Sequence, residues 1–470
     1  MAETPGSVPE AVTEYERRRQ ENIRRNQAIL AELRHDAAAV SAAYAPARPK
    51  KQPRANPPAA GPAAAPRRSG RARRQPPPSA SVSGSLPSEH LKRRAVRFPI
   101  SEAFIGEAAT VADPSAPLIS AIRAASWPAQ EGKVRAGDGL SLGNEPVWRL
   151  KPENVRKVKP TVISAAPRVL PLVDRTVVAV GTDFGHLMFW DADCTVPART
   201  PLCPGSDGMF WYHPHSVAVS GITVHPSAPL KIYSCSRHGE ICLMDVEEEV
   251  FNMVHLCNDL VLSLCQSPDN SNCLYFGKGN GDLKGFDERA GKISSTWQLH
   301  RDSISSIDFN PENTYMLATS SLDNTACVWD LRNMKRLKAQ SLKVVEHKLR
   351  VHSAYFSPSG SILATTSSDN TVGVLSVRDF DKSCYLQHSC PSTTFKANWG
   401  WNDSELFVDI ERDIGILSFD LNDISISASY KARIGSEEMS QVPNQFATHP
   451  YQVGVLACAG RNKLFLWTPQ

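Results

Sequence analysis

From about residue 160 to the C-terminus, apolar and polar residues alternate in short runs separated by polar turns. The clearest runs are Ser305–Phe309, Met316–Ser321 and Ala326–Asp330, and a second set, Ala354–Phe356, Ile362–Ser367 and Val372–Leu375, copies them. A two-residue period in runs this short predicts β-strands. Two markers recur with the strands every 42 to 48 residues. One is a small or polar residue before proline, as at His225-Pro226, Ser267-Pro268, Asn310-Pro311, Ser357-Pro358 and His449-Pro450. The other ends an apolar run 17 to 19 residues later, as at Asp245, Asp287, Asp330, Ser376 and Trp467. Counted by the second marker, seven repeats end near 191, 245, 287, 330, 376, 420 and 467. A period near 44 with a Trp-Asp-like end predicts an all-β propeller in which each repeat is one four-stranded blade.

Such a ring has to close without an exposed sheet edge. The last repeat ends three residues after Trp467, too soon for an outer strand of its own. The missing strand is expected from Glu153–Pro160, so the propeller spans 151–470 and residues 101–150 read as a linker. On that reading, deletion of residues 1–140 leaves a folded propeller and deletion of 1–165 does not.

Charge divides the chain. Residues 1–100 hold 19 Lys and Arg against 8 Asp and Glu, whereas the other 370 residues hold 33 against 40. A basic arm therefore precedes a mildly acidic body. Pro46–Pro87 contains 11 prolines and no aromatic residue, a composition that cannot offset its ordering entropy and reads as disordered. One short helix is expected inside the arm, at about 12–34. There Tyr15, Ile23, Ile29, Leu30 and Leu33 recur at loosely helical spacing, after Thr13 as a candidate N-cap.

Chemistry for catalysis is sparse. No phosphate-cradling Gly-rich loop, His-Glu-x-x-His or Gly-x-Ser-x-Gly occurs, and an enzyme is not expected. Eleven cysteines without a Cys-x-x-Cys, many within strands, read as buried thiols of an intracellular protein. Cys384 and Cys390 flank His388 but lack a fourth ligand, so neither metal nor other cofactor is expected. No apolar run reaches membrane-spanning length, and nothing calls for a membrane or a small-molecule substrate. Asp323 and Asp369 occupy the same turn of successive repeats and read as turn-stabilising, while His213, His215, His225 and His449 read as structural.

Two residue sets suit binding. The first is the arm's basic clusters, Arg67, Arg68, Arg71, Arg73 and Arg74, then Lys92, Arg93 and Arg94. Cations in a flexible arm suit nuclear import or DNA phosphate contacts. The second is Trp329, Asp330 and Arg332, with Arg289 at the matching place one repeat earlier. Two neighbouring arginines on one rim make a docking spot, since Arg gives bidentate contacts and is enriched at interface hot spots. A locally paired arginine at a strand end is the alternative.

The Trp329–Arg332 tetrad resembles the motif by which WD-repeat substrate receptors bind the damaged-DNA-binding adaptor of cullin-4 RING ubiquitin ligases. The stretch from Tyr15 to Leu30 resembles the opening of the WD repeat-containing protein 76 family, called DNA damage-binding protein in fungi. Arg67–Arg71, Leu317–Asp323, Val328–Arg332 and Phe395–Trp399 are similar to that family as well. The resemblance implies a nuclear, chromatin-associated WD-repeat propeller. It also implies DNA, with histones, and the ligase adaptor as partners, acting in the DNA damage response. A general protein-interaction scaffold without direct DNA binding is the alternative. By the same resemblance Arg301, Lys396 and the quartet Tyr385, Leu386, Gln387 and His388 become candidate DNA contacts. The quartet is compared with the Phe-Gln-His wedge that the small subunit of the UV-damage sensor inserts into lesions from a loop before its sixth blade. Leu386 stands in place of the Phe, and Arg301-Asp302-Ser303 replaces a lysine run.

Overall fold

A computed structural model describes Arg24 and residues 97–105, 116–127, 148–158, 161–194, 208–269, 272–334, 339–388, 394–411, 413–421 and 426–469. The arm's basic clusters and most of the expected helix at 12–34 lie outside these residues, and Arg24 itself is helical and exposed. Apart from Arg24, the described residues belong to one unit, Ser88–Gln470.

Seven antiparallel sheets form a seven-bladed propeller. The innermost strands, in blade order, are Ile163–Val169, Val219–Val224, Val261–Gln266, Ile304–Phe309, Val351–Phe356, Asn398–Trp399 and Gln445–Thr448. Each packs against the next, and the seventh packs against the first. The strand markers fall at or within two residues of the end of each blade's third strand, as in Leu187–Asp191, Glu240–Asp245, Asp282–Asp287 and Thr325–Asp330. Apolar faces of neighbouring blades interlock between the sheets, with Trp190, Tyr233, Phe276, Phe407 and Trp467 fully buried.

The turn between second and third strands needs a left-handed residue. Asn324 and Asn370 supply it at φ 73° and 60°, where Gly281 stands one blade earlier. A Cβ on Gly281 would lie 2.1 Å from the His300 carbonyl oxygen, so glycine is required there. The neighbouring Asp323 ties this turn to the blade interior. Its Oδ1 accepts the Thr325 amide, and its Oδ2 lies 3.1 Å from His300 Nδ1. His300 Nε2 is 2.7 Å from Thr319 Oγ1, which accepts the Trp329 indole N–H at 2.8 Å. Burial works to raise the Asp323 pKa, but the His300 and Thr325 bonds and the Arg301 amide outweigh it and hold the carboxyl ionised.

The ring closes through an upstream strand. Val155–Lys157 pairs with the third strand of blade 7, Val155 opposite Phe465 and Lys157 opposite Lys463, within the expected 153–160. Trp148 and Arg149 extend the pairing to Pro469 and Thr468, and Trp148 stacks on Trp401 at 5.6 Å.

The stretch expected to be a linker needs correction. Arg97–Pro99 adds a fifth strand to blade 2, with Phe98 opposite Phe251. The helix Ala116–Ala124 follows, and its Leu118, Ile119 and Ile122 enter one core with Leu170 and Leu172 of blade 1 and Phe251 of blade 2. Arg97–Glu248 and Arg123–Glu249 ion pairs lie over these contacts. The segment fills a groove between two blades, so deletion of residues 1–140 would strip covered apolar surface rather than spare the propeller. Among the described residues no helix is long and apolar enough to cross a membrane.

Candidate nucleic-acid interface and adaptor-docking face

Antiparallel blades present two rims. The upper rim carries the turns between second and third strands and the connectors into each next blade. The lower rim carries the turns that follow first and third strands. Among the described residues, six cations reach the upper rim exposed and without a side-chain partner: Lys157, Arg237, Arg301, Lys348, Arg350 and Arg461. Exposed carboxylates share this rim at Asp302, Glu346, Glu411, Glu437 and Glu438. The last two sit together on the connector from blade 6 to blade 7. Two apolar side chains also project here, Phe184 at 58% and Leu349 at 49% exposure. Leu349 stands between Lys348 and Arg350, on the connector that leads into the inner strand of blade 5.

Of the expected DNA contacts in the propeller, Arg301 lies on this rim. Lys396 does not. It sits in the central channel, where its Nζ donates to the Ser305 carbonyl oxygen at 3.3 Å. Burial first, then the charges of Arg168 and Arg237, push its ammonium down to about 8. The quartet at 385–388 also needs correction. Ser383–Gln387 is the outer strand of blade 5, paired with Thr371–Ser376, rather than a loop. Leu386 lies opposite Val372 and packs on the core between blades 5 and 6. His388 is 1% exposed, bonded to the Tyr430 hydroxyl and, at 3.3 Å, to Asp409. A wedge needs a side chain free to leave the protein, and neither Leu386 nor His388 is free. Tyr385 is 52% exposed but stacks edge-on against His347, and Gln387 bonds the Asn370 carbonyl at 3.2 Å.

The docking tetrad sits on the lower rim. Arg332 is exposed and gripped by Asp330 through two bonds, Nε to Oδ1 at 3.0 Å and Nη2 to Oδ2 at 2.7 Å. The Arg332 bonds hold the Asp330 pKa below its ordinary value. The guanidinium also lies 5.0 Å from the centre of the exposed Tyr315 ring. This is the local pairing weighed as an alternative, and it leaves the guanidinium on the surface in a fixed pose. Arg289 is exposed at the corresponding turn of blade 3, beside Asp287. Trp329 is a correction: it is 4% exposed and belongs to the blade interior, so it offers a partner nothing directly.

Sequence reasoning missed Phe184, Arg237, Lys348, Leu349, Arg350 and Arg461. A usable signal was present, since Phe184, Arg237 and Arg461 sit in the turn after a second strand, and Lys348–Arg350 immediately precedes an inner strand. Aligning the repeats by those turns, rather than by their Trp-Asp ends, would have grouped them.

A family model, WD domain, G-beta repeat, matches residues 291–330 and 339–374. The chain is 24% identical over 334 residues to the DNA damage-binding protein cmr1 of Aspergillus terreus, covering 63% of this chain and 62% of that protein. It is 28% identical over 244 residues to the DNA damage-binding protein 2 of Gallus gallus, covering 48% and 45%. It is 26% identical over 254 residues to the WD repeat-containing protein 76 of Xenopus laevis, covering 53% and 41%. In each case the match spans less than two thirds of the relative's length.

Proposed function

Because this chain belongs to the WD-repeat family that includes the DNA damage-binding proteins and WD repeat-containing protein 76, we propose that it binds DNA across the upper rim of its propeller. The observation that carries this reading is the set of exposed, unpaired cations on that rim with Phe184 and Leu349 among them. Unpaired Lys and Arg neutralise phosphates and release counterions, and an apolar side chain between two cations is placed to enter a weakened base step. Lys348 and Arg350 grip the backbone on either side while Leu349 wedges. The basic arm adds phosphate contacts of its own, which raise affinity without reading sequence.

The lower rim supports a second contact, with the damage-binding adaptor of a cullin-4 RING ligase. Arg332 has the pose for it: Asp330 holds the side chain in place, so little freedom is lost on binding. In this account the chain is a nuclear, chromatin-associated receptor that holds DNA on one rim and the ligase on the other. It works by binding, and no catalytic role is assigned to any residue. The test of the DNA reading is binding of a 25-base-pair duplex, intact and UV-treated, to the wild type and to the Lys348→Ala/Arg350→Ala variant. The expected loss is about tenfold in affinity for both duplexes, with the protein's melting unchanged. Equal affinity of variant and wild type would remove DNA from this rim.

A further inference from the structure

The central channel opens on the upper rim into a cavity of about 650 Å³. Arg237 and Arg461 line it, with Asp183, Asn444 and Gln445. A second, smaller cavity of about 40 Å³ lies further along the inner strands, lined by Arg168 and Lys396 with Ser305. Four cations therefore converge along one axis, from three different blades and the connector at Lys396. Their opposition is weak. Asp183 is engaged by the Val162 amide, and Asp308, on the inner strand of blade 4, by the Phe356 amide. Arg168 donates its Nε to a backbone oxygen, Ile222 O at 3.1 Å, and Lys396 likewise reaches a carbonyl. Among the described residues neither has a carboxylate within ion-pairing distance. Two further polar atoms on the path have no partner among the described residues, Ser305 Oγ in the smaller cavity and Gln445 Oε1 at the mouth. Buried polar atoms of this kind are ordinarily satisfied, and like charges are ordinarily kept apart.

We propose that the channel mouth is a binding site for a phosphate monoester or polyphosphate group, held by Arg237 and Arg461 from above and by Lys396 and Arg168 from below. The guanidinium forks of Arg237 and Arg461 suit bidentate phosphate contacts, and Lys396 acts as a point charge at the floor. Ser305 Oγ–H and the Gln445 amide, rotated to present its NH₂, are further donors. The volume admits a group of nucleotide size. A duplex, whose major groove alone is about 12 Å wide, does not fit such a cavity, so the site is distinct from the duplex contacts of the outer rim, which fall to Lys157, Arg301, Lys348 and Arg350. The phosphate has two sources, a free polyphosphate or the phosphorylated end of a single strand.

The probe is pyrophosphate, titrated by calorimetry into the full chain in 50 mM salt, with thermal melting in parallel. Wild type should bind with Kd below about 1 mM, and melting should rise with ligand by mass action. The Arg237→Ala/Arg461→Ala variant, which alters exposed side chains, should bind at least tenfold more weakly while melting normally without ligand. Lys396→Met should weaken binding as well if it folds. Arg332→Ala and Arg350→Ala should bind pyrophosphate as wild type does. Comparison of 5′-phosphorylated with 5′-hydroxyl tetrathymidine then separates the sources. A preference of tenfold or more for the phosphorylated end marks the strand terminus, and equal binding alongside tight pyrophosphate marks a free polyphosphate. The proposal is overturned if pyrophosphate neither binds nor shifts melting up to 10 mM, or if the Arg237/Arg461 double variant binds it as tightly as wild type does.

Discussion

Ile122 tests whether the N-terminal segment is part of the folded body. It is fully buried on the helix Ala116–Ala124, in the core shared by blades 1 and 2. Replacing a buried Ile by Ala removes three methyl or methylene groups and leaves a cavity, at a cost of about 2–5 kcal/mol. The unfolding entropy of roughly 2.1 cal/mol/K per residue, over about 320 residues, comes to about 0.7 kcal/mol/K. Ile122→Ala should therefore lower the melting midpoint by about 3–7 °C in scanning calorimetry. Ser120→Ala, an exposed position on the same helix, should move it by less than about 1 °C. Deletion of residues 1–96 should leave the midpoint in place, whereas deletion of 1–140 should lower it beyond Ile122→Ala and expose the face around Phe251 and Leu172. An unchanged midpoint for Ile122→Ala, or equal melting of the two truncations, would show that the segment is a detachable linker after all.

Other outcomes follow from single groups. Arg332→Ala should weaken capture of the ligase adaptor about 30-fold, or roughly 2 kcal/mol, in a pull-down titration, with DNA binding untouched. Leu349→Ala should reduce any preference for UV-treated over intact duplex, while Leu386→Ala should lower melting and leave that preference alone, because Leu386 packs in a core. Burial pushes the Asp308 carboxyl up to about 7, against the Phe356 amide and Arg168. Its folded pKa lies above its unfolded value, so the folded state binds more protons and its contribution to stability falls as pH rises from about 4 to 7. Asp308→Asn, which keeps an acceptor for Phe356, should be more stable than wild type at pH 8 by up to about 4 kcal/mol, the whole shift at 1.36 kcal/mol per unit. The gain should shrink towards pH 4, and melting of both proteins at pH 5 and pH 8 checks it.

The propeller was legible because its strands repeat and their two-residue period is strong. The closing strand was legible because a propeller ring leaves no sheet edge open, and Val155–Lys157 fills that place on blade 7. Leu118, Ile119 and Ile122 were not read, although their spacing suits one helical face. A nine-residue helix is too short to be stable alone, and its meaning comes from the groove it fills. The rim position of Arg289 and Arg332 was legible from strand-end register, but Trp329 was taken along with them because a motif does not say which member faces solvent. His388 was misplaced for a related reason. A Gln-His pair looks alike in a loop and at the end of a strand, and burial against Asp409 and Tyr430 depends on a neighbouring blade. The upper-rim cations are scattered over more than 300 residues, and only the ring brings them to one rim.

The central claim is that DNA lies on the upper rim, and the salt dependence of binding tests it most directly. Anisotropy of a labelled duplex should be followed from 50 to 200 mM salt for the full chain, for Lys157→Ala/Arg301→Ala/Lys348→Ala/Arg350→Ala, and for the lower-rim pair Arg289→Ala/Arg332→Ala. Each phosphate contact contributes about −0.9 to the slope of log K against log salt. The upper-rim variant should bind more weakly, with a slope shallower by about 2–4. The lower-rim pair should keep the wild-type slope. A wild-type slope for the upper-rim variant, or a shallower one for the lower-rim pair, would contradict the account.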